Sequence, residues 1–369
     1  MRIGIDCRLA GKSHAGIGRY IANLITRLPE VDQKNTFVFF FHSQKQVTEF
    51  DLSRFANIEI VITPISHYSL LEQLVLPFVY FKAHLDLLHV PHFNIPILYF
   101  GHMVITIHDL LWHEQKGLQV TTLPAWLYLL KYWAYLFTTL MAVHKAKKIL
   151  VPSKVIKQTV TKFYPKQSKK IVVTKEGIDQ TFIDQLSMPS SSKDHASNYL
   201  LYVGSLYPHK NIELVIRSLV FLPVRLKIVG SRNIFLDRTK KLAQKYQVEK
   251  KVDFLGFIPD QKLVKLYQDS LCLVQPSLSE GFGLTGIEAM AAGSVVVCSK
   301  IPIFEEIYQD GALYFDPLSL ESFIKVVQNL RKIDREAMIK KGKLICQQYD
   351  WQVMTRETLK VYQQVLGEL

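Results

Sequence analysis

Ser279-Glu280-Gly281-Phe282-Gly283-Leu284-Thr285-Gly286-Ile287-Glu288-Ala289-Met290-Ala291-Ala292-Gly293 follows directly on the apolar run 271–274 and a turn at Pro276. Read in order, this is a strand, a glycine-rich turn and a helix entered near Leu284, which is the repeating unit of a doubly wound α/β sheet. The glycines allow the backbone to approach a ligand closely. The free amides and the dipole at a helix start suit a diphosphate. Glu280 lies in the loop and Glu288 about one turn into the helix, so two carboxylates stand at the mouth of one strand, where they can hold sugar and ribose hydroxyls. The same residues also read as a plain strand-to-helix turn with Glu288 solvated.

Working outward, the pattern repeats. In the second half, 199–203, 226–229, 252–254, 271–274 and 295–298 read as strands with helices between them. In the first half the strands are 2–6, 37–41, 58–62, 87–90, 103–107, 148–151 and 170–173, with helices at 16–28, 68–84, 123–144 and 153–164. Strands alternating with helices predict parallel sheets. The polar stretch 187–197, rich in Ser and with Pro189, interrupts the rhythm and reads as a linker. The expected organisation is an N-terminal domain at 1–186, a linker at 187–197, a C-terminal domain at 198–350 and a final helix at 351–369. Whether that helix crosses back to the first domain is left open by spacing. Ligands of such sheets bind beyond the carboxyl ends of the strands, so two of them facing one another would share a cleft.

Three other strand ends carry candidate chemistry. Gly204-Ser205-Leu206-Tyr207-Pro208-His209-Lys210-Asn211 places Lys210 where a point charge can meet a phosphate and Asn211 where it can cap a helix. Ala15-Gly16-Ile17-Gly18-Arg19-Tyr20 gives Gly-x-Gly at a helix start, a weak phosphate signal without the third glycine of a dinucleotide fingerprint. Ile107-His108-Asp109 ends a strand with a pair able to bind a hydroxyl or handle a proton. The chain has 12 histidines, but none in a helical HExxH pattern, and no Asp-x-Asp pair. Neither a metal nor another cofactor is expected.

A length of 369 residues, 49% hydrophobic and 21% charged, suits two globular domains. The net charge of +13 favours anionic partners or serves solubility alone. Basic residues run along the chain, densest at Lys145, Lys147, Lys148 and Lys166, Lys169, Lys170, without a nucleic-acid signature. Cys7, Cys272, Cys298 and Cys346 form no CxxC pair and read as buried and reduced. The N-terminus reads as a strand rather than a signal peptide, which points to the cytoplasm. Residues 123–143 have the length of a membrane span, but Lys131 sits near the middle and the α/β rhythm continues afterwards. A buried or half-buried helix is the first reading. Its aromatics and the nearby lysines leave open peripheral contact with an anionic membrane.

The ordered set Gly-Ile-Gly-Arg-Tyr, Ile-His-Asp-Leu, Gly-Ser-Leu-Tyr-Pro-His-Lys-Asn and Glu-Gly-Phe-Gly-Leu…Glu-Ala-Met-Ala-Ala-Gly resembles the retaining glycosyltransferases of family four, whose GT-B fold has two Rossmann-like domains facing across a cleft. The resemblance covers nearly the whole chain, and the spacing of Glu280 and Glu288 is its most specific part. It implies that the C-terminal domain binds a nucleotide sugar. Lys210 would neutralise the diphosphate, Glu288 would bind ribose and Glu280 the transferred sugar. Backbone amides around Phe282, Gly283, Leu284 and Thr285 would cradle phosphate or sugar. Gly16 and Gly18 would let the N-terminal loop close over the diphosphate, and His108 would touch the donor sugar near the reacting carbon. Such enzymes retain anomeric configuration without a divalent metal. Two positions depart from many relatives: His209 replaces an arginine, which would weaken diphosphate affinity or make it pH-dependent, and Glu176 stands where an asparagine is frequent. The Pro-His-Lys-Asn segment resembles mannosyltransferases, giving GDP-mannose as the first donor and UDP-glucose or UDP-N-acetylglucosamine next. The acceptor would be a cell-surface glycan or a lipid-linked precursor. A same-fold sugar-nucleotide epimerase, a non-catalytic partner subunit and, on charge alone, a nucleic-acid-binding module are the competing readings.

Overall fold

The computed structural model describes residues 1–11, 14–114, 117, 121, 124–187, 198–230 and 235–367. The chain divides into two compact units, Met1–Gly177 together with Asp350–Leu369, and Ile178–Tyr349. Each is built on a parallel sheet, and the architecture is α/β with two Rossmann-like domains.

The first sheet contains β1 (Arg2–Asp6), β2 (Thr36–Phe41), β3 (Ile58–Ile62), β4 (Leu87–Val90), β5 (Met103–Thr106), β6 (Lys148–Val151) and β7 (Ile171–Val173). Their spatial order is β3-β2-β1-β4-β5-β6-β7, every neighbouring pair parallel. The second holds β8 (Tyr199–Val203), β9 (Arg225–Val229), β10 (Val252–Gly256), β11 (Cys272–Gln275), β12 (Val296–Ser299) and β13 (Ala312–Phe315), in the order β10-β9-β8-β11-β12-β13, again all parallel. Helices cover both faces of such sheets, so central strands read as near-continuous apolar runs. Phe37-Val38-Phe39-Phe40-Phe41 is an example, buried throughout. Each such side chain contributes about 1.5–3 kcal/mol by leaving water. The strand order reverses between β1 and β4 and between β8 and β11. At these switch points the loops diverge and leave a crevice at the carboxyl ends of the strands.

Where the elements differ from the sequence pattern, local chemistry gives the reason. The stretch 68–84 forms two helices, Leu70–Leu74 and Leu76–Lys82. Pro77, which has no N–H to offer the preceding turn, sits at the start of the second. The strand β13 is short and half-buried at the sheet edge, so its four residues carry too little periodicity to stand out. Pro124 is the N-cap of the helix Ala125–Lys145 rather than a residue of its first turn. Among the described residues no helix is long and apolar enough to cross a membrane. All four cysteines are free and buried.

The passage between the units falls after Gly177. Residues 180–186 already pack with the second unit, where Phe182 is fully buried and meets the Tyr267 ring edge-on at 6.1 Å. Most of the stretch read as a linker, 188–197, lies outside the described residues. The final helix, Trp351–Leu366, packs in the first unit. Its Tyr362 hydroxyl lies 2.5 Å from His89 Nδ1 on β4, and Trp351 lies edge-on to Tyr20.

Candidate functional site

In the second unit, the loops after β8 and β11 leave from neighbouring strands at the switch point. They are tied together by the Leu278 amide, which donates to the His209 carbonyl (2.7 Å). Lys210 ends a short 3₁₀ turn, Pro208–Lys210, and its Nζ lies 2.6 Å from Glu280 Oε1. Ser277 Oγ donates to the same oxygen (2.8 Å). Burial alone would raise the Glu280 carboxyl, but the Lys210 charge and the hydrogen bonds from Lys210 and Ser277 outweigh it and hold the group below its ordinary range. Glu280 is therefore ionised at neutral pH. Ser277 was not singled out by the sequence, because a serine three residues before a glutamate in a loop has no signature of its own.

His209 stacks on Tyr207, ring centroids 5.9 Å apart. Burial, with Lys210 adding to it, pushes its imidazole down to about 4. It is neutral at physiological pH and supplies no charge of the kind an arginine would. Asn211 does not cap the helix Ile212–Ser218: it adopts a left-handed conformation (φ 53°) and makes no side-chain cap bond. Its amide nitrogen donates instead to the Pro317 carbonyl (2.9 Å).

The helix Leu284–Ala291 starts at Gly283, whose φ of 102° is a conformation that side-chain-bearing residues rarely adopt. A Cβ there would also lie 2.3 Å from the Tyr308 hydroxyl, which donates to the Gly283 carbonyl (2.6 Å). With glycine at the N-cap, no side chain caps the helix, so the first-turn amides of Leu284 and Thr285 receive none of that compensation. The Thr285 hydroxyl accepts from Gln275 Nε2 (2.7 Å). Phe282 is buried edge-on against Tyr349 at 5.5 Å, so only its backbone is on offer. Glu288 is 2% exposed and accepts from the Tyr267 hydroxyl (3.4 Å), which excludes the solvated-helix reading.

In the first unit, His108 follows β5 and Glu176 follows β7. His108 Nδ1 lies 3.0 Å from Glu176 Oε1, and the imidazole meets Tyr20 edge-on at 4.9 Å. His108 Nε2 is buried and has no hydrogen-bond partner among the described residues. A buried polar atom left unpaired is costly, which makes this nitrogen a place for a ligand hydroxyl. Next to it, His89 Nε2 pairs with Thr106 Oγ1 (2.8 Å) and Thr106 with Tyr20 (3.2 Å). Burial pushes the His89 imidazole down to about 3, so this support is uncharged. Asp109 accepts from the Leu111 amide (3.1 Å) and shapes the turn. Gly16 is exposed at the start of the helix Ala15–Val31. Gly18 is buried, and a Cβ there would lie 2.0 Å from the Gly11 carbonyl, so the loop after β1 depends on glycine to rest on this helix. Part of that loop, residues 12 and 13, lies outside the described residues.

A third polar cluster in this unit was not anticipated. Arg8 Nη2 lies 2.7 Å from Asp6 Oδ2 and 2.7 Å from Glu72 Oε1, with all three side chains at most 2% exposed. Arg8 Nη1 donates to the Ile65 carbonyl (2.9 Å), Asn94 Nδ2 donates to Glu72 Oε2 (2.5 Å), and His67 Nδ1 lies 3.1 Å from Glu72 Oε1. Asp6 and Arg8 are neighbours at the end of β1, but Glu72 and Asn94 come from distant segments, so no spacing reveals the cluster. Among the described residues no three His, Cys, Asp or Glu side chains group as metal ligands would.

Comparison with known proteins gives a consistent picture. Residues 14–182 match the family Glycosyltransferase Family 4 and residues 184–344 match Glycosyl transferases group 1. The O-antigen chain mannosyltransferase RfbU of Salmonella typhimurium is 27% identical over 88% of this chain and 89% of its own. An O-antigen chain mannosyltransferase B of Escherichia coli is 28% identical over 59% of this chain and 60% of its own. Among solved structures, a sucrose-phosphate synthase from Thermosynechococcus elongatus covers the whole of both chains with a TM-score of 0.76 at 18% identity. An Anabaena protein in complex with UDP and glucose covers 99% of this chain and 100% of its own, with a TM-score of 0.72 at 18% identity. At these identities the two structures speak to the fold, which is GT-B.

Proposed function

Because the chain belongs to the group 1 glycosyltransferases, we propose that it transfers mannose from GDP-mannose to a glycan or lipid-linked acceptor of O-antigen type. We further propose that transfer retains anomeric configuration and uses no divalent metal. Mannose and the polysaccharide setting are supported by the two mannosyltransferase relatives. Retention rests on the family resemblance. The use of a nucleotide sugar is supported by the Lys210–Glu280 pair at the β8/β11 switch point, and this observation carries the proposal.

In the reaction, the bond from the anomeric carbon to phosphate breaks, a bond to an acceptor hydroxyl forms, and that hydroxyl loses its proton. Negative charge collects on the departing nucleoside diphosphate. Lys210 and the uncapped amides of Leu284 and Thr285 are suited to stabilise it, which is the task a metal ion performs elsewhere. On donor binding, Lys210 would turn from Glu280 to the diphosphate and release that carboxylate to the sugar hydroxyls. Glu288, held at the far end by Tyr267, would take the ribose. His108 would offer Nε2 to a sugar hydroxyl, with Glu176 fixing the ring through Nδ1. An oxocarbenium-like centre needs shielding from water to avoid hydrolysis.

The test is thermal denaturation with GDP, UDP, ADP and their sugar conjugates in EDTA, followed by product analysis. A ligand bound only by the native state raises the melting temperature by mass action. GDP-mannose is expected to stabilise the protein and Glu288→Ala to abolish the effect. Stabilisation by uridine nucleotides alone would overturn the donor, and loss of all turnover in EDTA would overturn metal independence.

A further inference from the structure

The helix Ala125–Lys145 is apolar on two faces. One face, with Tyr128, Tyr135, Ala142 and Val143, is buried in the first unit. The other carries Trp126, Leu130, Trp133, Phe137 and Leu140 at helical spacing, all exposed, Trp126 at 69% and Trp133 at 66%. A helix apolar all round is ordinarily covered on every side. A second exposed stripe, Leu71, Leu74, Phe78 and Phe81, runs along the helices Leu70–Leu74 and Leu76–Lys82. The two meet at the segment 95–100. There Phe81 packs on Tyr99 at 5.0 Å, Lys145 Nζ lies 4.2 Å over the exposed Phe100 ring, and Lys145 also donates to the Tyr99 carbonyl. Two rows of exposed large apolar side chains on one unit point to a binding face.

Charge identifies the occupant. Between Glu114 and Glu176 the chain carries 12 lysines and no Asp or Glu. Of the chain's 45 basic and 32 acidic residues, 33 and 32 therefore lie elsewhere, so nearly all of the net +13 belongs to this stretch. None of the described lysines in it is buried. Lys131 lies on the helix itself, and Lys170 donates to the His144 carbonyl (2.8 Å) at its carboxyl end.

We propose that this face of the first unit docks on an anionic lipid bilayer, with Trp126, Trp133 and Phe137 entering the headgroup boundary and the surrounding lysines meeting lipid phosphates. Tryptophan prefers that depth, and lysine stems reach from it to charged headgroups. The proposal is independent of the donor assignment.

The experiment is co-sedimentation of the full chain with vesicles of phosphatidylcholine alone or mixed equally with phosphatidylglycerol, with tryptophan emission recorded. The protein is expected to bind the mixed vesicles, to shift its emission to the blue, and to dissociate as salt is raised. The double variant Trp133→Glu, Phe137→Glu should bind at least about tenfold more weakly. A second variant, Lys147→Glu with Lys170→Glu, should lose the preference for anionic vesicles. Both should keep the wild-type melting temperature and the wild-type response to nucleotide sugars. Equal binding to neutral vesicles, undiminished binding by either variant, or a wild-type dimer that the double variant splits in the absence of vesicle binding would overturn the proposal.

Discussion

Arg8–Glu72 in the first unit and Lys210–Glu280 in the second are ion pairs of nearly equal length, 2.7 and 2.6 Å. Their surroundings separate them. Arg8 is wholly buried, and its guanidinium is shared among Asp6, Glu72 and the Ile65 carbonyl. Lys210 and Glu280 keep 19% and 15% of their side-chain surface, stand on two loops at a switch point, and lie beside an uncapped helix start. Arg8 already has its partners and holds together segments far apart in sequence. Lys210 can exchange its partner for a ligand at little cost. An ion pair seen at a strand end is thus a sign of function only when its members can let go of each other.

The largest effect expected from this contrast is on stability. Arg8→Ala leaves two buried carboxylates uncompensated, which costs about 3–5 kcal/mol, measurable by urea denaturation. Burial would raise Asp6, but Arg8 outweighs it and holds the carboxyl down to about 2, against an ordinary 3.8. A lowered carboxylate pKa gives stability that is present above the unfolded value and lost as pH falls through the folded one. The wild type should therefore lose this contribution between about pH 4 and pH 2, and Arg8→Ala should show a flatter acid limb. If Arg8→Ala instead unfolds normally but abolishes transfer, the cluster belongs to the site and the contrast fails.

Next in size is Lys210→Ala. Removing a group that stabilises the leaving diphosphate should lower kcat roughly 10²–10³-fold, with the melting temperature of the ligand-free protein little changed. An equally large loss of stability would place Lys210 with Arg8.

Glu176→Gln sharpens the reading of His108. The exchange keeps a hydrogen-bond acceptor near Nδ1 and removes its charge. Charge-assisted bonds are worth about 1.5–3 kcal/mol, so kcat should fall roughly ten- to a hundredfold. Glu176→Asn, which keeps a shorter uncharged acceptor, should retain more activity than Glu176→Ala. If all three variants perform alike, the contact does not position the ring.

The parts of the molecule that could be read in advance are those whose reason is local. Parallel strands announced themselves as apolar runs, and Glu280, Gly283 and Glu288 lie on one strand–turn–helix segment, so order along the chain gives their placement. The nearness of Lys210 to Glu280 required only that β8 and β11 be neighbours. Glu176 drew attention as a departure from a motif, but its partner, 68 residues away, depends on β5 and β7 lying on either side of β6. The joining of Glu72 to Asp6 and Arg8 had no local signal, because it follows from where helix Leu70–Leu74 lands on the sheet. The same limit applies to the apolar face: residues 123–143 were conspicuous, whereas the contacts of Lys145 with Phe100 and of Phe81 with Tyr99 are facts of packing.

The smallest effect is expected at Arg2–Glu59, and it is the control for the whole comparison. This pair is bidentate, with contacts of 2.6 and 2.9 Å, as short as the buried ones. Its side chains are 37% and 48% exposed, so water and salt screen the attraction, and ordering two long side chains offsets part of what remains. The hydrogen bond from Arg2 lowers the Glu59 carboxyl, but an exposed shift of this kind translates only weakly into stability. Glu59→Gln should therefore cost no more than about 1 kcal/mol by urea denaturation, and the difference should shrink further in high salt. Arg8→Ala should keep most of its effect there. A loss at Glu59 that matched the loss at Arg8 would mean that contact length, rather than burial and saturation, sets the worth of these pairs.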